Sequence, residues 1–283
     1  MTHIPEHLGG LTLTKQLGSG KLCEVWEARE SGSGKHVAVK VVVPEAARDR
    51  SQRRQLQHEL RVARAVHHPS IIRIDRFGES SGLPYLVMDF CPYPNLKRQI
   101  VTDPAAVLQH AQAWSVALAL ALAHMHQCGW VHRDLKPDNV LGAPDGQIVL
   151  IDLAIATRLP GLFSGILRSR RPAQGSPSYM PPEQIRGQPV DGRADIYSLG
   201  CLIFELLGGR PPFTATHTND LLNKHITAPP PAVDALNPAV TAEASRLLRQ
   251  MMAKQPAQRP ATMQDVVQQL RRIRFFERDP HGA

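Results

Sequence analysis

The stretch His132-Arg133-Asp134-Leu135-Lys136-Pro137-Asp138-Asn139 decides how the rest of the chain is read. After it come the apolar pair Val140-Leu141, a β-like run at Ile148–Ile151, and then Asp152. Asp134, Asp152 and the amide of Asn139 offer oxygen ligands of the kind a hard cation such as Mg²⁺ prefers. The Asp134 carboxylate can receive a hydroxyl proton, and Lys136 can neutralise phosphate charge. So specific a string does not arise from composition alone. A helix predicted over Ala105–Gln127 leads into it.

Further upstream, Val37-Ala38-Val39-Lys40 sets one lysine in an otherwise apolar strand. A buried lysine is costly without an anion, and Glu59 on the following helix is its natural partner. Taken alone, the strand equally suits a sheet edge with the lysine in solvent. Gly18-Ser19-Gly20 lies between two predicted strands and lets the backbone approach a phosphate closely. It is no Walker A loop: Gly20-Lys21 has Lys15 where the first glycine belongs and Leu22 where Ser or Thr belongs. Gly34-Lys35 fails in the same way, with Arg29 and His36. A dinucleotide-binding loop would open a helix, whereas Val25-Trp26 reads as strand. Alone, the glycines fit a hairpin turn as well as a phosphate loop. The order glycine loop, strand lysine, octapeptide is what gives them weight.

These landmarks lie on an α+β chain in two parts. Residues from about 10 to 88 alternate β-like runs (Leu11–Leu17, Val25–Arg29, His36–Val43, Ile71–Phe77, Tyr85–Phe90) with turn-forming breaks. One helix, Ala46–Val66, interrupts them, with Leu56, Leu60, Ala63 and Val66 on one face. Residues 89–94 read as a connector, and 95–276 as mainly helical. Helices are expected at Asp195–Leu207, Asp220–His225, Ala242–Ala253 and Met263–Phe276, the last opened by the capping pair Thr262 and Asp265. The expectation is a single two-lobed domain over residues 1–283, with a small β-rich lobe and a larger helical one.

The formal charge of +8 invites a nucleic-acid reading. The basic residues, however, fall into separate clusters at Arg48–Arg54, Arg168–Arg171 and Arg271–Arg274, with no aromatic interleaving. A solvated face, or attraction to acidic substrates and phosphates, explains them more simply. Cys23, Cys91, Cys128 and Cys201 show no paired spacing, which argues for reduced thiols in a cytoplasmic setting. Residues 1–16 lack the features of a signal peptide. From Pro104 to His132 there is no Asp, Glu, Lys or Arg, yet His and Gln punctuate the run, so a core helix is expected rather than a membrane span.

Over residues 10–274 or so, the chain resembles the eukaryotic-type protein kinases, and most of all the serine/threonine kinases found in bacteria. The resemblance implies ATP as co-substrate, Mg²⁺ or alternatively Mn²⁺, and protein substrates bearing Ser or Thr. No nucleic-acid partner is implied. It implies that Leu17, Gly18, Ser19 and Gly20 cover the nucleotide, and that Val25, Ala38 and Leu141 sandwich adenine. Met88 matches the gatekeeper, and Asp89, Phe90 and Cys91 would offer backbone hydrogen bonds. Lys40 would hold the α- and β-phosphates and pair with Glu59. Asp134 matches the catalytic base, Lys136 would steady the γ-phosphoryl group, and Asn139 and Asp152 match the metal ligands. Glu183 should pair with Arg259, and Asp195 should anchor the catalytic loop. Lys136 with Ser176 resembles the serine/threonine branch.

The sequence departs from the family pattern in four places. Cys23 replaces the third glycine, and Leu153 and Ala154 replace the Phe and Gly that usually follow the metal-binding aspartate. Pro181 stands for the usual alanine. Cys23 reads as a tolerated small side chain or as a redox-sensitive thiol. If position 154 needs positive φ in one conformer, alanine penalises it. No group that does chemistry is lost, so a pseudokinase scaffold is the alternative reading rather than the leading one. Arg133 is the expected receiver of a phosphate on Ser164 or Ser169, ordering the loop after autophosphorylation, which dimerisation would assist. Ser176 is expected instead to contact Asp134 and Lys136.

Overall fold

The computed structural model describes residues 4–159 and 174–277. The chain divides into two compact units: residues up to Pro92 with Asp152–Ala154, and the remainder from Tyr93.

The first unit is a six-stranded antiparallel sheet carrying one helix. Its elements are β1 (His7–Leu8), β2 (Leu11–Ser19), β3 (Cys23–Glu30), β4 (His36–Val42), α1 (Arg50–Ala65), β5 (Ile74–Ser80) and β6 (Leu83–Asp89). The strand order is β1-β2-β3-β4-β6-β5. Alternation along β4 sorts its side chains. Val37, Val39 and Val41 join Leu8, Leu11, Leu13, Tyr85 and Val87 in one buried cluster, which leaves Ala38 and Lys40 for the opposite face. Directly opposed residues share a face, and Lys40 is in register with Val25 and Leu86, as Ala38 is with Met88. The expected edge-strand alternative for Lys40 is thereby removed, since β4 has neighbours on both sides.

Helix α1 starts four residues later than Ala46 because Asp49 caps it, accepting from the Ser51 amide at 2.8 Å. Gln52, Leu56, Glu59, Leu60, Val62 and Ala63 make up its buried face.

The second unit is mainly helical. Asn95 caps α2 (Leu96–Thr102), and Asp103 closes it and caps α3 (Pro104–Gln127) through the Ala106 amide at 3.1 Å. Among the described residues, α3 is the one helix long and apolar enough to cross a membrane. It is a core helix here: Ala111, Trp114, Leu118, Ala119 and Leu122 are buried. Short strands β7 (Trp130–Val131), β8 (Val140–Gly142), β9 (Ile148–Leu150) and β10 (Thr157–Arg158) pair as β7 with β10 and β8 with β9. Then come α4 (Pro182–Ile185), α5 (Gly192–Gly208), α6 (Thr218–Thr227), α7 (Ala242–Met251) and α8 (Met263–Arg272). Helix α3 packs on α5 and α8.

Helix α5 is buried from Ala194 to Leu207 and ends at Gly209 in the left-handed region. The expected capping pair of α8 forms in both directions. That helix stops at Arg272 rather than Phe276, because the Gln112 side chain takes over the chain end by bonding to the Ile273 carbonyl and the Phe275 amide.

Candidate active site

In the first unit, the Lys40 ammonium donates to Glu59 Oε2 at 2.8 Å and to Asp152 Oδ1 at 3.1 Å. Glu59 completes a small network by accepting from the Leu153 amide at 3.3 Å. Burial alone would pull Lys40 down, but the two carboxylates outweigh it and hold the ammonium well above its ordinary range. Glu59 is pushed up by burial, against the pull of Lys40. The charge on Lys40 is therefore secure at neutral pH.

Leu17, Gly18 and Ser19 lie at the end of β2, and the Gly20 amide donates to the Cys23 carbonyl at 2.9 Å. A Cβ at Gly18 would meet nothing within 4 Å, so protein packing does not demand that glycine. Burial raises the Cys23 thiol, which disfavours the reactive thiolate and supports the reading of a tolerated small side chain. Met88 and Asp89 end β6, followed by Phe90 and Cys91. The Asp89 amide is spent on the Arg73 carbonyl at 3.0 Å. Leu153 is fully buried, as expected of an apolar replacement. The left-handed backbone concern moves: it is Asp152, at φ 64°, that adopts it.

In the second unit, the octapeptide is built around Asp195 at the start of α5. This buried carboxylate accepts from the amides of His132 and Arg133, each at 2.9 Å, and from His126 Nε2 at 2.8 Å. Burial would raise Asp195, but His126 and the backbone donors outweigh it and hold the carboxyl below its usual range. These bonds hold Arg133 at φ 73°, a conformation that non-glycine residues rarely adopt.

Beyond that strained residue, Asp134 is positioned on three sides. Its Oδ1 accepts from the Ser176 amide at 2.8 Å. Its Oδ2 lies 3.3 Å from both Lys136 Nζ and Asn139 Nδ2, and its carbonyl accepts from Asn139 at 2.9 Å. Lys136 also donates to Ser176 Oγ at 2.7 Å. The expected contact of Ser176 with Asp134 and Lys136 is thus present. Gly175, at φ 121°, permits it: a Cβ there would come within 2.9 Å of Gln184 and 3.2 Å of the Arg133 carbonyl. Leu141 lies on β8.

The same unit contains the expected brace. Arg259 grips Glu183 bidentately, at 2.7 and 2.8 Å, and also bonds the carbonyls of Arg193 and Ala253. Three contributors escaped the sequence reading. His126 supports Asp195. Gln184 donates to the carbonyls of Arg133 and Gln174. Glu205, buried in α5, receives the Tyr179 hydroxyl at 2.5 Å and Lys97 at 2.6 Å. Helical spacing alone gives none of them a partner. Ser164 and Ser169 lie outside the described residues.

Asn139 and Asp152 each carry oxygen atoms of the kind a hard cation such as Mg²⁺ prefers. Asn139 spends its NH₂ on Asp134, leaving Oδ1 as the ligand atom, and Asp152 supplies a carboxylate that is 36% exposed. Among the described residues no cluster of three His, Cys, Asp or Glu could hold a metal.

Residues 11–270 match the protein kinase domain family. A probable serine/threonine-protein kinase of Streptomyces coelicolor is 32% identical over 258 residues, 89% of this chain and 38% of that protein. Serine/threonine-protein kinase PknB of Mycobacterium tuberculosis is 31% identical over 274 residues, 95% of this chain and 44% of that one. PrkC of Bacillus subtilis, also a serine/threonine-protein kinase, is 31% identical over 258 residues, 91% and 39% respectively. The chain thus spans about two fifths of the length of these curated relatives. The crystal structure of the Mycobacterium tuberculosis PknI kinase domain superposes with a TM-score of 0.71 at 27% identity, covering 96% of this chain and 99% of that one. The chain belongs to the protein kinase domain family, among the eukaryotic-type serine/threonine kinases found in bacteria.

Proposed function

We propose that this chain is a catalytically competent serine/threonine kinase domain that transfers the γ-phosphoryl group of ATP to protein hydroxyls, its own included. The observation that carries the reading is the setting of Asp134, whose carboxylate is held by the Ser176 amide and flanked by Lys136 and Asn139 at 3.3 Å. A Ser or Thr hydroxyl oriented by Asp134 attacks the γ-phosphorus while its proton passes to that carboxylate. The new O–P bond forms as the bond to the bridging oxygen breaks, and ADP leaves with the electron pair. Lys136 steadies the γ-phosphoryl charge, and its bond to Ser176 ties it to the loop expected to receive the substrate.

Lys40 would hold the α- and β-phosphates, with Glu59 fixing its direction. Leu17 to Gly20, Val25, Ala38, Met88, Asp89 to Cys91 and Leu141 would take the nucleotide. Asn139 and Asp152 would hold Mg²⁺ or Mn²⁺, which when bound neutralises phosphate charge. Cytoplasmic ATP and a reducing compartment suit the four free cysteines. Dimerisation would serve autophosphorylation in trans.

The test is transfer of labelled γ-phosphate to the chain itself and to a generic protein substrate, in Mg²⁺ and in Mn²⁺. Label on serine or threonine is expected. ATP binding with no transfer in either ion would replace this reading with that of a signalling scaffold.

A further inference from the structure

We infer that the outer face of α1 is a docking site for an acidic, phosphorylated protein segment laid along the helix and gripped by Arg50, Arg54, Arg61 and Arg64. At helical periodicity these four fall within an arc of about 80° and run about 21 Å along the axis. All four are exposed, and among the described residues no carboxylate forms an ion pair with any of them. Arg53, beside the stripe, is already paired with Glu79, and Asp49 is committed to the helix cap.

The charges lie where they harm their own helix. No acidic residue occupies the first turn, where Arg50 and Arg53 oppose the helix dipole. Arg50 with Arg54, and Arg61 with Arg64, repel at helical neighbour spacing. A polyanion on the stripe relieves both effects. A stripe about one side chain wide fits a linear polyanion better than a flat membrane. The arginine fork matches phosphate bidentately. No aromatic residue stands on this face to stack a base, which favours a phosphopeptide over a single-stranded nucleic acid.

The site also has a consequence for the rest of the first unit. Glu59 is half a turn from the stripe, on the buried face, and bonds Lys40. Whatever steadies α1 steadies that pair.

The experiment is a binding titration without ATP, so its outcome is independent of phosphoryl transfer. A fluorescent peptide carrying several phosphoserines is compared with its unphosphorylated twin and with a single-stranded oligonucleotide of equal charge. The expected result is salt-sensitive binding of the phosphopeptide, with α1 amides exchanging more slowly in the complex. Replacing all four arginines by Gln weakens binding at least about tenfold, whereas Arg271→Gln with Arg272→Gln on α8 leaves it unchanged. Gln is a good helix former, and the pair Arg54→Gln with Arg61→Gln gives a milder loss that keeps the test readable should the quadruple variant unfold. Equal binding by the variants, or tighter binding of the oligonucleotide, overturns the proposal.

Discussion

Replacing Asp195 by Asn tests how far the catalytic loop depends on one buried carboxylate. Asp195 takes three donors, two of them backbone amides of the octapeptide. Asparagine has one acceptor oxygen. If it faces the Arg133 amide, its NH₂ group opposes the His132 amide; if it is flipped, Arg133 is orphaned. Either way one buried backbone donor is left unsatisfied, at about 1–3 kcal/mol, and the retained bond loses its charge assistance. A total near 2–4 kcal/mol follows, which for a chain of this size lowers Tm by roughly 5–15 °C. The strained Arg133, at φ 73°, then loses what holds it, and Asp134 beside it drifts from the Ser176 amide. In a phosphotransfer assay below the variant's Tm, turnover falls by about tenfold or more, because a displaced base misses the hydroxyl. ATP affinity changes little, since neither Asp195 nor the residues that donate to it are among those proposed to hold the nucleotide. A folded Asp195→Asn variant with full turnover would refute the reasoning.

Other perturbations bear on separate parts of the account. Arg259→Met leaves the Glu183 carboxylate buried without its partner and should cost about 3–5 kcal/mol, while adding Glu183→Gln recovers part of the loss in a denaturant titration. His225, bonded to the Tyr197 hydroxyl at 2.9 Å, is pushed down to about 3 by burial and by Lys254. The unfolded chain therefore takes up that proton first. Stability present above pH 6.5 is lost as the pH falls toward 3, by about 2 kcal/mol at pH 5, and His225→Gln should flatten the pH dependence of Tm. Glu59→Gln removes the better of the two anions holding Lys40 and should lower turnover more than it lowers stability, as compared by phosphotransfer and by melting.

The parts of the site that could be read from the chain are those whose neighbours in sequence impose the geometry. Alternation along β4 puts Lys40 opposite the valine cluster, and helical spacing turns Glu59 with Leu56, Leu60 and Ala63 inward. The capping pair Thr262 and Asp265 is local and was equally plain. Helix α2 was not legible, since Leu96 and Ile100 are its only buried residues and Asp103 serves both its end and the start of α3. His126, Gln184, and the contact of Tyr179 and Lys97 with Glu205 depend on partners 26 to 108 residues away, which no local pattern specifies. A positive φ was considered only at Ala154, whereas Arg133 and Asp152 adopt it, and the bonds that each makes are to residues 62 and 112 positions away.

The central claim is that Asp134 receives the proton of a substrate hydroxyl. The most direct measurement is the rate of labelled γ-phosphate transfer to a serine-containing protein by Asp134→Asn, with ATP binding measured on the same sample. The account predicts unchanged ATP affinity and a turnover reduced by about 10²- to 10⁴-fold. Turnover within a few fold of the unaltered chain would contradict it.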